Sequence, residues 1–129
     1  MHYFDVVFRG KYEPDGDWQY VHISDNSCTD FIPSTVGQFT GICDACQKKV
    51  FCDDIVQIFA HPYTIDEGIA LFGIVVWDDA HCSFMLDIVD NPKLPKNFAH
   101  MMRMDFLHLQ KYNFAVIGNI HDNPELLEK

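Results

Sequence analysis

Ile69-Ala70-Leu71-Phe72-Gly73-Ile74-Val75-Val76-Trp77, then Asp78-Asp79-Ala80-His81, then Cys82-Ser83-Phe84-Met85-Leu86-Asp87-Ile88-Val89 is the stretch that decides the architecture. Two apolar runs rich in β-branched and aromatic residues flank a tight polar link, which is the sequence form of a β-hairpin. Outward from it, strand-like segments recur on both sides. Upstream, His61 to Gly68 carries Pro62, Asp66, Glu67 and Gly68, the marks of a hairpin loop, and Val50 to Phe59 reads as one longer strand with Asp53-Asp54 near its start. Gly41 to Lys49 reads as a turn, Thr35 to Thr40 as a short strand and Ser24 to Ser34 as a loop. Trp18 to Ile23 and Tyr3 to Phe8 read as two further strands; Arg9-Gly10-Lys11 closes the first, and the turn cluster Glu13-Pro14-Asp15-Gly16-Asp17 follows.

Downstream, Asp90-Asn91-Pro92-Lys93-Leu94-Pro95 breaks the pattern, and Lys96 to Gln110 has no β-alternation. Phe98, Met101, Met102, Asp105 and Leu109 lie near helical spacing, which predicts a short helix within 96–110. Tyr112 to Asn119 returns to strand character with Phe114, Val116 and Gly118 on one face. Asn123-Pro124-Glu125 is an N-cap, first-position proline and first-turn acid, so a short C-terminal helix is expected. The expectation is a mainly β, single domain over 1–129, with a sub-boundary near Cys52 between an N-terminal β portion, 1–52, and the remainder, 53–129.

The chain of 129 residues has the length of one ordinary domain. A hydrophobic share of 48% with 14% aromatics supplies a core and excludes a disordered chain. Nine Lys+Arg against 19 Asp+Glu give a net charge of −10, which disfavours general nucleic-acid binding, because phosphates call for surplus cations. From Asp53 onward there are 5 basic and 12 acidic residues, against 4 and 7 before it. The excess falls at loop tips: Asp66-Glu67, Asp78-Asp79, and Asp87 with Asp90. There it reads as a solvated rim that keeps an aromatic domain soluble. No apolar run approaches the roughly 20 residues of a bilayer span, and Met1-His2-Tyr3-Phe4-Asp5 lacks a signal-peptide pattern. With an odd cysteine count of 5, a soluble protein of the bacterial cytoplasm is expected, with no membrane partner.

Cys43-Asp44-Ala45-Cys46 places two thiols two residues apart at a turn, half of a structural zinc knuckle, with Cys52 and Cys28 as the further candidates. No second C-x-x-C or H-x-x-x-H completes the set, so no metal is expected. Asp78-Asp79 with His81, and Asp66-Glu67, have the composition of paired carboxylates, but equally that of polar hairpin tips. The seven histidines are dispersed, and no phosphate-binding or nucleophile motif occurs. No catalytic residue, cofactor or small-molecule substrate is therefore expected. Trp77, ending an apolar strand, reads as core; alternatively, with Asp78, Asp79 and Tyr63, it offers a partner-binding surface.

Three ordered stretches resemble the YopX-like family of phage and prophage proteins. Gln38-Phe39-Thr40-Gly41-Ile42 followed by Val50-Phe51-Cys52-Asp53-Asp54-Ile55-Val56 is similar to that family's QyTGL-turn-IyeGDIV segment. Gly73-Ile74-Val75-Val76-Trp77-Asp78-Asp79 with Phe84 is similar to its GvVeWdd…F hairpin. Val116-Ile117-Gly118-Asn119-Ile120-His121-Asp122-Asn123-Pro124-Glu125-Leu126-Leu127 resembles its closing VIGNIyeNPELL, and Phe8-Arg9-Gly10 resembles its FRaw start. This chain has Asp53 where members usually carry Gly, a departure that bears on the backbone torsion there.

The resemblance implies a small SH3-like β-barrel in the C-terminal portion with the N-terminal β portion packed against it, and it implies no activity. The function expected is a phage- or prophage-derived, non-enzymatic protein-binding or assembly module that self-associates into a homo-oligomer, since exposed strand edges offer unpaired backbone groups. The alternative is a nucleic-acid-linked regulator, either DNA-binding or an acidic DNA mimic. A metal-dependent hydrolase is a third.

Overall fold

A computed structural model describes residues 7–22, 31–59, 71–89, 103–110 and 112–127. β1 (Val7–Lys11) and β2 (Trp18–His22) form a hairpin in the register Phe8 to Val21 and Arg9 to Tyr20. Its turn is closed where the Tyr12 N–H donates to the Asp17 carbonyl, and Gly16 supplies the left-handed backbone (φ 74°) that the turn requires. After a 3₁₀ turn at Pro33–Thr35 come β3 (Gly37–Cys43) and β4 (Lys49–Phe51), giving a four-stranded sheet of order β2-β1-β3-β4.

The second sheet holds β5 (Asp54–Ile58), β6 (Leu71–Asp78), β7 (Ser83–Ile88), β8 (Arg103–Asp105) and, after the single turn α1 (Phe106–Leu109), β9 (Phe114–Asn119). Its order is β8-β7-β6-β5-β9, so the last strand lies beside the first, and every pairing in the two sheets is antiparallel.

The hairpin of β6 and β7 is the frame of this sheet, as the two apolar runs and the polar link between them predict. Leu71, Gly73 and Val75 point inward from β6, and Leu86 and Ile88 answer them from β7. Gly73 is needed at its position because a Cβ there would fall inside the Leu86 side chain. Val56, Ile58, Met104, Leu109 and Phe114 complete the core, which Val50 of the first sheet enters as well. A smaller cluster, Val7, Phe39 and Phe51, fills the first sheet. At roughly 1.5–3 kcal/mol per buried large apolar side chain, these clusters are the main favourable term in folding.

Val50 to Phe59 is two strands in two sheets, not one. The Cys52 N–H donates to the Gln38 carbonyl of the first sheet, and the next amide, Asp53 N–H, donates to the Val75 carbonyl of the second. The switch is made at Asp53, whose φ is 75°. That is the left-handed region glycine adopts freely and Asp tolerates better than most residues. The backbone therefore keeps the torsion suited to Gly, and this chain adds a carboxylate to it. The chain thus leaves the first sheet at Cys52 and enters the second at Asp53.

Four other expectations are corrected. Arg9-Gly10-Lys11 lies within β1, because these residues pair with Tyr20, Gln19 and Trp18 instead of ending the strand. Thr35 belongs to the 3₁₀ turn, and β3 runs on to Cys43. Of the helix expected within 96–110, the described residues hold the turn Phe106–Leu109, and it is preceded by a strand, β8, since Met104 pairs across to Leu86; 96–102 lie outside the described residues. The C-terminal helix is a 3₁₀ turn, Pro124–Leu127. Tyr3–Asp5, most of the Ser24–Ser34 loop and the His61–Gly68 loop lie outside the described residues. The mainly β architecture holds, as two antiparallel sheets, and no pairing among the described residues closes either into a barrel. No helix among them is long and apolar enough to cross a membrane.

Candidate functional site

The first site is the junction between the sheets. Arg9 of β1, 5% exposed, donates from Nη2 to Asp54 Oδ1 at 2.6 Å; Asp54, at the start of β5, is fully buried and also accepts the Phe51 N–H at 2.7 Å. Burial pushes the Asp54 carboxyl above its ordinary value, and the Arg9 cation offsets part of that. The guanidinium lies between two rings, 4.7 Å from the Trp18 centroid and 4.9 Å from that of Phe51. Its Nε is the one buried side-chain polar atom without a partner among the described residues.

Trp18 donates its indole N–H to Asp122 Oδ2 at 2.7 Å, and the Lys11 ammonium pairs with Asp122 Oδ1 while standing 5.4 Å from the Trp18 ring centroid. The hydrogen bonds from Lys11 and Trp18 draw the Asp122 pKa down to about 2. His121 sits edge-on to Trp18 and its Nε2 is 3.0 Å from Asp53 Oδ2. Gly118 lets the next turn fold back here, because a Cβ would lie 2.5 Å from Asn123 Oδ1, the atom that caps the Asn119 N–H.

Phe8-Arg9-Gly10, Cys52-Asp53-Asp54 and Gly118-Asn119-Ile120-His121-Asp122-Asn123, three of the stretches that carried the resemblance, thus meet at one place. The arrangement fastens the two sheets to one another. Burial and the adjacent Asp53 carboxylate push the Cys52 thiol up to about 11, so it stays protonated at neutral pH. Sequence spacing gave no sign of the Arg9–Asp54 pair, whose partners are 45 residues apart.

The second candidate is the C-x-x-C turn between β3 and β4. Cys43 and Cys46 are exposed there, and the residue that organises the turn is Asp44, 5% exposed. Its Oδ1 accepts the N–H groups of Cys46 and Lys48, both at 2.9 Å, and its Oδ2 accepts that of Val116 on β9 at 2.8 Å. Burial pushes this carboxyl up, and the three backbone donors outweigh it, leaving the pKa below the ordinary value. The Ala45 N–H donates to the Phe114 carbonyl alongside, so the turn caps the start of β9. Its partly open cavity of about 190 Å³ is lined by Cys43, Asp44, Ala45, Gln110, Tyr112, Asn113 and Phe114. No cluster of three or more metal-ligating side chains occurs among the described residues. Cys28 lies outside them.

The third is the tip of the β6–β7 hairpin. Trp77 pairs with Phe84 on the core-facing side of the sheet, but beyond the end of the core, and it is 49% exposed. The reading of Trp77 as core is corrected on that ground: the face is right and nothing described covers this end of it. The indole stands at 76° to the Phe84 ring with centroids 5.1 Å apart, and its N–H donates to Asp79 Oδ1 at 2.7 Å.

Asp78, predicted alongside it as a partner-facing residue, is 6% exposed and occupied. It accepts the His81 N–H at 3.1 Å and Arg103 Nη1 at 3.3 Å. Burial raises the Asp78 carboxyl, and the hydrogen bonds from His81 and Arg103 outweigh it, leaving its pKa below the ordinary value. Arg103 is in turn held by both oxygens of Asp87, at 2.5 and 3.0 Å. Tyr63 lies outside the described residues.

The sequence matches the YopX family, described as "YopX protein", over residues 4–128. Among solved structures, the crystal structure of protein EF1440 from Enterococcus faecalis is similar with a TM-score of 0.52 and 17% identity, covering 95% of this chain and 98% of that one. At that identity the likeness speaks to the fold alone. No curated protein matches.

Proposed function

The chain belongs to the YopX family, and from that premise we propose that it is a phage- or prophage-derived, non-enzymatic protein-binding module that acts in the cytoplasm of a bacterial host through the tip of the β6–β7 hairpin. The five-stranded sheet, with β9 returned beside β5, is read as the SH3-like portion, and the first sheet as the N-terminal portion docked on it.

One observation carries the proposal: Trp77 is half exposed yet held in place by the Phe84 ring and the Asp79 carboxylate. A large aromatic fixed before binding surrenders little conformational entropy on contact, and such residues dominate interface energetics. The junction supports the same reading from the other side, since its charged groups are engaged with one another and its one nearby thiol is held protonated.

The test is affinity capture from phage-infected or prophage-bearing cells with the tagged chain and with Trp77→Ala. The expected result is one protein recovered by the parent chain and lost with Trp77→Ala, while thermal unfolding shows the variant folded. Equal recovery by both chains, or recovery of no protein, overturns the proposal.

A further inference from the structure

We propose that Trp77 and Asp79 form a receptor for a Lys or Arg side chain of a basic protein partner, an inference that rests on the docking reading above and names the chemistry of what docks. The molecule contains its own template. Trp18 donates its indole N–H to an Asp122 oxygen at 2.7 Å, and the other Asp122 oxygen pairs with Lys11, whose ammonium stands 5.4 Å from the indole centroid. Arg9 lies 4.7 Å from the same ring. An indole tied at its N–H to a carboxylate thus offers a cation two attractions at once, the ring quadrupole and the anion.

Trp77 repeats the first two parts of this unit. Its indole N–H donates to Asp79 Oδ1 at the same 2.7 Å. The third part is missing: among the described residues no cation lies over the Trp77 ring, and nothing but the indole engages the Asp79 carboxylate. Arg103, which reaches the neighbouring Asp78, is divided between Asp87 and Asp78. The unit that is complete at the junction therefore lacks its cation at the hairpin tip among the described residues. A second copy of this chain is a poor occupant, because its charge of −10 repels this acidic tip. A basic segment of another protein supplies the missing part and is drawn in by the same charge.

The test is a ¹H–¹⁵N titration of the chain with an oligo-arginine peptide at low salt, with an oligo-glutamate peptide as control. It reads the two indole N–H signals, which Trp77→Phe assigns. The expected result is a saturable shift of the Trp77 signal with no comparable shift of Trp18. Asp79→Asn, which keeps the acceptor and removes the charge, should weaken binding about fivefold, while Glu13→Gln on the exposed β1–β2 turn should change it less than about twofold.

Equal weakening by Asp79→Asn and Glu13→Gln shows charge attraction without a receptor and overturns the inference, as does an unmoved Trp77 signal. Sedimentation revealing a Trp77-dependent dimer overturns it in favour of a second copy. A captured partner that Trp77→Ala loses but Asp79→Asn keeps leaves the docking reading standing and removes only the cation receptor. Capture indifferent to both variants removes both.

Discussion

Trp18 and Trp77 begin alike and end in opposite situations. Each ties its indole N–H to an aspartate at 2.7 Å, Trp18 to Asp122 and Trp77 to Asp79. At the junction the face of Trp18 is then closed by Arg9 and Lys11, and those cations are neutralised by Asp54 and Asp122. At the hairpin tip the indole rests on Phe84 and remains 49% exposed. The difference separates fastening from recognition. Where each charge has its counter-charge within the fold, breaking one group strands another; where a fixed aromatic has no cation over it among the described residues, removing it should cost stability little and binding much.

The largest effect that follows is at Arg9. Arg9→Ala leaves Asp54 buried without its cation and should cost about 3–5 kcal/mol of unfolding free energy in urea titrations. Replacing the pair by apolar residues, Arg9→Met with Asp54→Leu, should recover much of that loss, because no unpaired charge then remains. A cost below about 1 kcal/mol for Arg9→Ala would show that apolar contact alone joins the sheets, and the contrast between the two tryptophans would lose its first half.

The turn between β3 and β4 comes next. Asp44→Ala deprives three backbone N–H groups of their acceptor and should cost about 2 kcal/mol. Cys43→Ser with Cys46→Ser should stay within about 0.5 kcal/mol, as both side chains are exposed. A chelator should leave the melting temperature unchanged. A melting temperature that falls with chelator, and falls no further once both cysteines are gone, would restore the zinc reading.

These two cases show what the sequence could and could not reveal. The hairpin read from 69–89 was legible because two apolar runs and the polar link between them are local properties of consecutive residues. The sheet switch was not: it takes place between two adjacent amides, and the left-handed residue making it is Asp53, where a glycine would have been conspicuous. Arg9-Gly10-Lys11 reads as the close of a strand, and nothing local announces a partner of Arg9 that lies 45 residues away. At the C-x-x-C turn the cysteines drew attention through their spacing, while Asp44 between them organises the turn. Trp77 reads as core because it ends an apolar run, but an apolar run does not tell where a core stops. The resemblance pointed at the right stretches without saying that three of them meet.

A smaller effect concerns acid. The Asp122 pKa of about 2 lies below the ordinary 3.8, chiefly through the hydrogen bonds from Lys11 and Trp18. A carboxylate with a depressed folded-state value stabilises when ionised. Its contribution is complete above the unfolded value and is lost as the pH falls from about 4 towards about 2. Stability measured across that window should fall less steeply in Asp122→Asn than in the parent chain, with little difference between them at neutral pH, since Asp122 is partly exposed. Parallel acid limbs would place the titrating groups elsewhere and weaken the picture of a closed set of charges around Trp18.

The smallest effect is the one that decides the other half of the comparison. Trp77→Ala gives up an edge-to-face contact with Phe84 on a ring already half in solvent, so the expected loss is at most about 1 kcal/mol. Asp79→Asn keeps the acceptor for the indole and should lie within about 0.5 kcal/mol. Trp18→Ala, by contrast, uncovers Arg9, removes a donor to Asp122 and should unfold at distinctly lower urea. Two indoles with the same hydrogen bond would then differ in stability cost because one is covered by the fold's own cations. If Trp77→Ala proved as damaging as Trp18→Ala, Trp77 would belong to the packing of the sheet, and the exposed indole could no longer be read as a surface kept free for a partner.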